Sequence, residues 1–509
     1  MDRANHNRPS VFSTRLDKIP LLEEDIERLL VLAVQFFATM EQRAAIRPGL
    51  PCPDPTISYW QDPPSDLANY QSSQKLPSSV DVIIIGSGIT GAKVAYDLLV
   101  DDPQLSVLML EARTACSGAT GRNGGHTKPA SYREFFDDCN SIGEKEAAKI
   151  VQLQHKCVKE IHEFARAHSI PCDSWEGNTV NIFYSQNQMS KVKKAVEMMR
   201  LYLGNDESVA SYKFYDSTET ERRFLAQGSV GSVSYAAESL SAYNFVIGFL
   251  RLAIQNGLNL QTQTPVTRIL RSAEGGQRWF VETSRGTISS TKVVMATNGY
   301  TAHLLSEMRG VLVPLRGTIT AQRPGQDLPK SGLLNTYSFI GEDGYEYMIP
   351  RPQNTDFPGD ILIGGGLPKA RDGGLYEYGT TNDANVDPDI LNYLEENTQS
   401  YFGSNWGQDH PEGRVRTAWT GIMGYSADGF PFVGEMPDAS GLYITASFQG
   451  SGMVLAFLCA HAVALMIRGE DDEKLDSWFP KSFRMRPERM KHTFRGRLHA
   501  TASMDRDHV

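Results

Sequence analysis

The sequence predicts an α/β fold of more than one domain, and three observations carry that prediction. A β-branched run, Val82 to Ile85, enters the turn Gly86-Ser87-Gly88-Ile89-Thr90-Gly91, and apolar Val94, Ala95 and Leu98 follow at helical spacing. A second apolar strand, Leu105 to Leu110, ends in Glu111, about 20 residues beyond Gly91. Further short strands alternate with helical stretches along a chain of 509 residues, 40% of them hydrophobic, which is enough for a large core.

The first strand, its turn and its helix form a phosphate-binding pattern. Gly86 makes the turn, Gly88 lets backbone approach a pyrophosphate, and Gly91 lets the helix pack on the strand. The helix N-terminus, with Ser87, Ile89 and Thr90 around it, faces the phosphates. Glu111, followed by Ala112 and Arg113, stands where a carboxylate accepts the ribose hydroxyls of an adenosine. Ser117 then leads into Gly118-Ala119-Thr120-Gly121-Arg122-Asn123-Gly124-Gly125. Such small residues let backbone lie against a flat ligand, and their amides hold phosphate or ring atoms. Arg122 and Asn123 supply directional donors. The bland readings are an ordinary strand–turn–helix with a surface Glu, and a surface linker. The direct succession of the two features argues against both.

Composition excludes several classes. The formal net charge is −10 and no Lys/Arg-rich run stands out, so nucleic acid is not an expected partner. Six scattered cysteines without a CxxC pair point to a reducing compartment, the cytoplasm, and to no metal site. The N-terminal residues lack the apolar core of a secretory signal. Leu442 to Ile467 is long and apolar but holds Gln449, Gly450, Ser451, Gly452 and His461. A buried strand, a glycine turn and a buried helix fit it better than a membrane span.

The remaining elements follow in chain order. Residues 1–77 form an extension with one amphipathic helix over Leu21 to Ala45, then Pro-rich and polar stretches anchored on the body by Tyr59 and Trp60. Helices are predicted over Glu144–His168, Gln186–Leu203 and Ser241–Asn256, and a short patch within Tyr212–Ala226. Strands are predicted at Thr179–Tyr184, Leu258–Gln261, Pro265–Ile269, Trp279–Thr283, Thr287–Val294, Leu312–Ala321, Tyr345–Pro350 and Ile361–Ile363. Asp387 is placed as N-cap and Pro388 as the first residue of a helix reaching Tyr401. Aromatic Tyr337, Phe339, Tyr345 and Tyr347 alternate, which points some of them at a cavity. Residues 471–509 read as a polar surface tail.

The Gly86-Gly88-Gly91 turn, Glu111 and the Ser117 to Gly125 run together resemble the D-amino-acid-oxidase-type (DAO) family of FAD-dependent oxidoreductases. That family includes glycine oxidase, sarcosine oxidase and the γ-glutamylputrescine oxidases. The Ala-Thr-Gly-Arg-Asn-Gly-Gly wording is most similar to the last group and its fungal members. The resemblance spans about residues 80–470. It implies a Rossmann-like, glutathione-reductase-type FAD-binding domain interleaved with a second, antiparallel-sheet substrate domain. The expected FAD domain comprises 78–135, 235–310 and 410–470, and the expected substrate domain 136–234 and 311–409. It further implies that Val266 meets adenine, and that Ala296, Thr297, Asn298 and Gly299 form a second glycine motif beside the cofactor. The closing stretch from Arg416 contains Asp428-Gly429-Phe430-Pro431 and then Gly450, Ser451, Gly452 and Met453. The resemblance implies that these four aim helix N-terminal amides at the flavin's pyrimidine edge, where reduction places negative charge.

The implied chemistry is hydride transfer from a carbon bearing nitrogen in a small amine or amino acid to FAD, with dioxygen as acceptor and peroxide released. Non-covalent FAD is expected, with Cys116 and His126 the first residues to test for a covalent link. Candidate substrate or catalytic residues are His126, Arg316, Arg351 and Tyr347; a bidentate arginine suits a carboxylate. For each arginine a structural role is the competing reading, and for His126 a backbone hydrogen bond. The alternatives are an FAD dehydrogenase with another acceptor, an NAD-linked Rossmann enzyme, and a flavin-binding module without turnover.

Overall fold

The β-branched run at Val82–Ile85 forms the middle of a parallel sheet, buried on both faces as such strands require. In the computed structural model, residues 35–496 are described, apart from 205, 207, 208, 210, 273–277 and 343. In chain order the strands are β1 Ser79–Ile85, β2 Val107–Leu110, β3 His126–Thr127, β4 Trp175–Phe183, β5 Lys213–Asp216 and β6 Gly231–Ser239. Then come β7 Asn259–Gln261, β8 Val266–Arg271, β9 Trp279–Thr283, β10 Gly286–Met295, β11 Leu312–Gln322 and β12 Asn335–Ile340. The last are β13 Tyr345–Pro350, β14 Ile361–Gly364, β15 Val415–Ser426, β16 Phe432–Glu435 and β17 Leu442–Ala446.

The first sheet has the order β16-β17-β10-β1-β2-β7, with the β8/β9 hairpin running off β10. Its central pairs are parallel, with Ile84 opposite Val294 on one side and Met109 on the other. Successive β1 side chains enter different cores. Val82 and Ile84 join a cluster with the helices Ile89–Asp101, Ala242–Gln255 and Ala456–Ile467, while Ile83 and Ile85 pack with Val281, Met295 and Leu305.

The second sheet has the order β15-β11-β14-β13-β12-β4-β6-β3, with β5 beside β6. Its pairs are antiparallel except β12 with β4. Alternation along β12 divides its residues between two faces. Tyr337 and Phe339 pack with Leu394, Phe402 and Trp406, the first two from the helix Pro388–Phe402. Thr336 and Ser338 take the opposite face, together with Tyr347 of β13, the register partner of Ser338. So Tyr345 and Tyr347 share the face turned away from the Phe402 core, and Tyr337 and Phe339 do not. Asp387 caps the Pro388–Phe402 helix as expected, accepting from the amides of Asp389 and Ile390.

The structure corrects several expectations. Strand β15 lies in the second sheet, along the whole of β11, not in the parallel-sheet unit assigned to 410–470. Trp419, Thr420, Ile422 and Tyr425 are good strand formers and pair accordingly. Strand β3 and the end of β6 also belong to the second sheet, inside the ranges 78–135 and 235–310. The amphipathic helix is described only over 35–44, its earlier part lying outside the described residues. Residues 471–496 are not a surface tail. Phe479, Phe483 and Phe494 are buried, and Arg489 donates to Asp428 at 2.6 and 3.0 Å while lying 4.1 Å over the Phe432 ring. Among the described residues no helix is long and apolar enough to cross a membrane.

Docking of this C-terminal stretch has a measurable consequence. Phe479→Ala should cost about 3–5 kcal/mol of stability, as a truncated core aromatic does, and lower the thermal midpoint by several degrees. A change below about 0.5 kcal/mol, the size expected of a surface substitution, would return the segment to the surface.

Candidate functional site

The turn after β1 is held by two close approaches that only glycine permits. Gly86 has φ +108°, and a Cβ there would lie 2.5 Å from the Ala296 carbonyl oxygen. A Cβ on Gly91 would lie 2.0 Å from the Gly86 carbonyl oxygen. Ala296 in turn donates its amide to Ile85. The glycines thus bring the β1 turn, the Ile89–Asp101 helix and the end of β10 together. Ile89 donates its amide to Thr120 Oγ1 at 3.1 Å. The amides of Gly88, Thr90 and Gly91 have no protein acceptor among the described residues. They form an anion site at a helix N-terminus.

Glu111 is buried and accepts from the Ser87 amide, the Ser87 hydroxyl and the Arg113 amide at 3.1, 2.7 and 3.0 Å. Its carboxylate therefore first fixes the turn, with acceptor capacity left for a ligand hydroxyl. Val266 opens β8 opposite Thr283, two residues after Thr264, which donates its amide to the Glu111 carbonyl. Ala112 is half-buried between these partners.

The loop after β2 is pinned from three directions. Arg113 donates to both oxygens of Asp383 at 3.0 and 3.1 Å, and to the Ser117 carbonyl. Arg122 donates to the Thr420 carbonyl at 2.6 Å and to Thr56, with Asp383 3.6 Å from its Nε. Burial pushes the Arg122 guanidinium down to about 10, opposed by Asp383 and aided by Arg113, so it stays charged at neutral pH. From the N-terminal extension, Ser58 Oγ donates to the Gly121 carbonyl and Trp60 Nε1 to the Asn123 carbonyl, both at 2.6 Å. Arg122 and Asn123 were expected to supply directional donors, but their side chains, like that of Arg113, are turned to protein. Asn123 closes its own loop by accepting from Gly125 N and donating to the Thr120 carbonyl. Ala119 and Thr120 lie in the 3-10 turn Ala119–Arg122. Ser117 Oγ is buried with no partner, an open hydroxyl in a cradle of backbone.

The third turn completes the site. Asn298 has φ +42° and accepts from the Ser447 amide at 3.0 Å, and a Cβ on Gly299 would lie 2.4 Å from the Met423 carbonyl oxygen. Thr297 shares a hydrogen bond with Thr301 and so is occupied locally. Ser447 and Gln449 have positive φ, at 67° and 53°, a conformation costly for residues with a Cβ, and Gly450 follows at 78°, where glycine adopts it freely. Ser451 is not an open donor, because its amide bonds the Phe448 carbonyl at 2.7 Å. The amides of Gly450, Gly452 and Met453 have no protein acceptor among the described residues. A 3-10 turn, Gly452–Val454, precedes the helix Ala456–Ile467, which starts later than expected.

Facing these turns is the open side of the second sheet. A Cβ on Gly124 would lie 3.0 Å from the Tyr347 ring, so β13 abuts the glycine loop. Burial raises the Tyr347 phenol well above its usual range. His126 Nε2 shares a 2.7 Å hydrogen bond with Thr336 Oγ1, and burial, then Lys128 and Arg133, hold its imidazole neutral. Lys128 stands beside it, bonded to Asn181 and Ser338. Two candidates are spoken for elsewhere. Arg316 makes a bidentate pair with Glu377 at 2.6 and 2.8 Å. Arg351 bonds Asp173 at 2.7 Å and stacks 4.9 Å over Trp60. Sequence reasoning missed Asp383, for which no local signal exists. It also missed Lys128, which only its closeness to the Gly124-Gly125 pair could have flagged.

The donor set and the glycine cradle fit a dinucleotide with an extended flat ring. Two runs of unused amides bracket the loop, and a buried hydroxyl has no protein partner. The arrangement rests on Asp383. Asp383→Ala leaves two buried guanidiniums without their carboxylate and should destabilise the protein by about 3–5 kcal/mol. A thermal midpoint within a degree of wild type would show that the pair does not hold the loop.

Comparison with known proteins agrees with this geometry. A family model described as FAD dependent oxidoreductase, DAO, matches residues 81–466. A probable oxidoreductase, OrdL, of Rhizobium meliloti is 23% identical over 401 residues, 77% of this chain and 84% of its own length. Glycine oxidase of Bacillus subtilis is 20% identical over 383 residues, 74% of this chain and 89% of its own. The crystal structure of glycine oxidase from Geobacillus kaustophilus matches with a TM-score of 0.61 and 19% identity, covering 80% of this chain and 99% of that one. That of L-proline dehydrogenase from P. horikoshii matches with a TM-score of 0.62 and 20% identity, covering 81% and 100%. Three glycine turns in one order, two packed sheets and a family match over most of its length place this chain in the DAO family of FAD-dependent oxidoreductases.

Proposed function

We propose that this FAD-dependent oxidoreductase oxidises the C–N bond of a small amine or amino acid, holds FAD non-covalently, and passes the electrons to dioxygen with release of peroxide. The observation that carries the reading is the pair of open amide sets, Gly88, Thr90 and Gly91 at one end and Gly450, Gly452 and Met453 at the other. Bound FAD supplies acceptance of a hydride from the carbon bearing nitrogen, and water hydrolyses the resulting imine.

The rest is the work of this chain's residues. The first amide set and the helix behind it bind pyrophosphate. Glu111 keeps acceptor capacity for ribose hydroxyls. The second set, held by the 447–450 turn, would donate to the negative charge that a bound flavin gains on reduction. Tyr347 stays protonated and His126 neutral, so neither places a charge beside the reacting carbon. Cys116 is fully buried and its thiol is pushed well up by burial, which supports a non-covalent cofactor because the thiolate is the nucleophile. All six cysteines are unpaired, which supports a reducing compartment such as the cytoplasm.

Anaerobic mixing with a panel of primary, secondary and amino-acid amines should bleach the flavin absorbance, and admitting air should restore it with stoichiometric peroxide. No bleaching by any C–N substrate would overturn the reading; bleaching without peroxide would replace dioxygen by another acceptor. A Cβ at Gly452 would meet only Phe448 Cβ at 3.7 Å, so Gly452→Ala should behave as wild type. Gly452→Pro removes the amide donor. Its flavin reduction should slow by about 10²–10³-fold, as for loss of one fixed donor, with FAD still bound. An unchanged rate in Gly452→Pro would remove the amide from the account.

A further inference from the structure

The glycine loop is gripped by its carbonyls. Four in succession, those of Thr120, Gly121, Arg122 and Asn123, accept from side chains: Asn123 Nδ2 at 3.0 Å, Ser58 Oγ at 2.6 Å, Trp419 Nε1 at 2.7 Å and Trp60 Nε1 at 2.6 Å. The last two donors are indoles, rigid groups that can only donate. They come from distant parts of the chain, Trp60 from the N-terminal extension and Trp419 from β15. One ring joins them. Tyr59 stands edge-on to Trp60 at 5.4 Å and stacks on Trp419 at 6.4 Å, its plane 19° from that indole. The Tyr59 hydroxyl donates to Asp360 at 3.4 Å, and the Arg351 guanidinium lies 4.9 Å over the Trp60 ring. Both indoles are buried, so packing fixes their orientation.

The consequence falls on the far side of each peptide. A peptide group is planar, so fixing its carbonyl fixes the direction of the N–H across it. The Arg122 carbonyl shares its peptide with the Asn123 amide, and the Asn123 carbonyl shares its peptide with the Gly124 amide. Neither amide has a protein acceptor among the described residues. The next amide, that of Gly125, is satisfied by Asn123 Oδ1 at 2.7 Å. Gly124 is buried, and a buried backbone amide without a partner is costly. The two unused donors therefore belong to the two peptides that the indoles hold. A hydrogen bond accepted by a carbonyl also polarises its peptide and strengthens the N–H as a donor. Burial alone would anchor the extension to the body. Donation to adjacent carbonyls of the loop, each backed by an unused amide, serves a ligand.

We propose that Trp60 and Trp419 are positioning residues for the cofactor: by gripping the Asn123 and Arg122 carbonyls they hold the Gly124 and Asn123 amides as donors to the bound flavin, so that the N-terminal extension helps to set the flavin's affinity and potential. The proposal rests on the reading that the Ser117 to Gly125 run lies against the flavin, and adds what holds it there. A reduced flavin carries more negative charge than an oxidised one, so donors fixed in advance favour the reduced state. Releasing a carbonyl from its indole lets the peptide turn, which weakens the donor and costs the reduced state more than the oxidised one.

The test compares the full-length wild type with Trp60→Phe and Asn123→Ala, by FAD titration of the apoprotein and by the midpoint potential and visible spectrum of the bound flavin. Phenylalanine keeps a ring beside Tyr59 and Arg351 and deletes the indole donor. Trp60→Phe should raise the Kd for FAD about 2- to 12-fold, the range for one neutral hydrogen bond, lower the midpoint potential and shift the flavin bands. Trp419→Phe should act in the same direction. Hydrogen exchange gives a second readout. FAD should slow exchange of the Asn123 and Gly124 amides in the wild type, and Trp60→Phe should lose most of that protection at Gly124. Asn123→Ala opens the loop itself and separates two failures. If it shifts the potential while Trp60→Phe only lowers the thermal midpoint and leaves the bound flavin as in the wild type, the proposal falls and the loop stays at the flavin. If neither variant moves potential or spectrum, and FAD protects neither amide, the loop does not lie at the flavin and both readings fall.

Discussion

One buried carboxylate holds the site together. Asp383 sits between Arg113 and Arg122, two guanidiniums on either flank of the glycine loop, and is itself anchored through its carbonyl by Thr56 and Thr420. The loop arises from the first sheet, Thr420 from the second, and Thr56 from the N-terminal extension. A carboxylate removed from water is tolerable only with such partners. The same loop carries the backbone against which the cofactor must lie, so its position relative to both sheets is set by this cluster and by Ser58 and Trp60 of the extension.

Given that frame, the binding surface is made largely of backbone. The anion site at Gly88, Thr90 and Gly91 and the donors at Gly450, Gly452 and Met453 are amides without a protein acceptor among the described residues, the first set because a helix N-terminus leaves its first amides unpaired. Positive φ at Ser447, Gln449 and Gly450 shapes the turn that carries the second set. Side chains serve mainly to fix the backbone: Glu111 the first turn, Asn123 the loop, Asn298 the third turn. On the open face, burial keeps the Tyr347 phenol protonated and the His126 imidazole neutral.

Much of this was legible in the sequence because it is local. The β1 turn, the Glu111 strand and the Ser117–Gly125 run are each encoded within a few residues, and the elements Gln186–Leu203, Trp279–Thr283 and Tyr345–Pro350 fall where periodicity places them. What failed depends on distant partners. The partner of Arg113 lies 270 residues away, so its guanidinium could not be told from a ligand contact. Arg316 looked available until Glu377 took its Nε and Nη2 donors and the Asn382 carbonyl its Nη1. Ser451 looked like a donor until the turn folded back on Phe448. Strand β15 was assigned with the closing cofactor stretch because its partner β11 lies about a hundred residues earlier, and the stretch after residue 470 was masked by its charge, although Phe479 and Phe483 are core residues.

The central claim is that the three turns form one cradle for a single FAD. The visible absorbance spectrum of the purified protein, with flavin quantified after acid precipitation, tests it most directly. The account predicts a yellow protein with one FAD per chain, released intact into the supernatant. A folded, colourless protein that takes up no added FAD would contradict it.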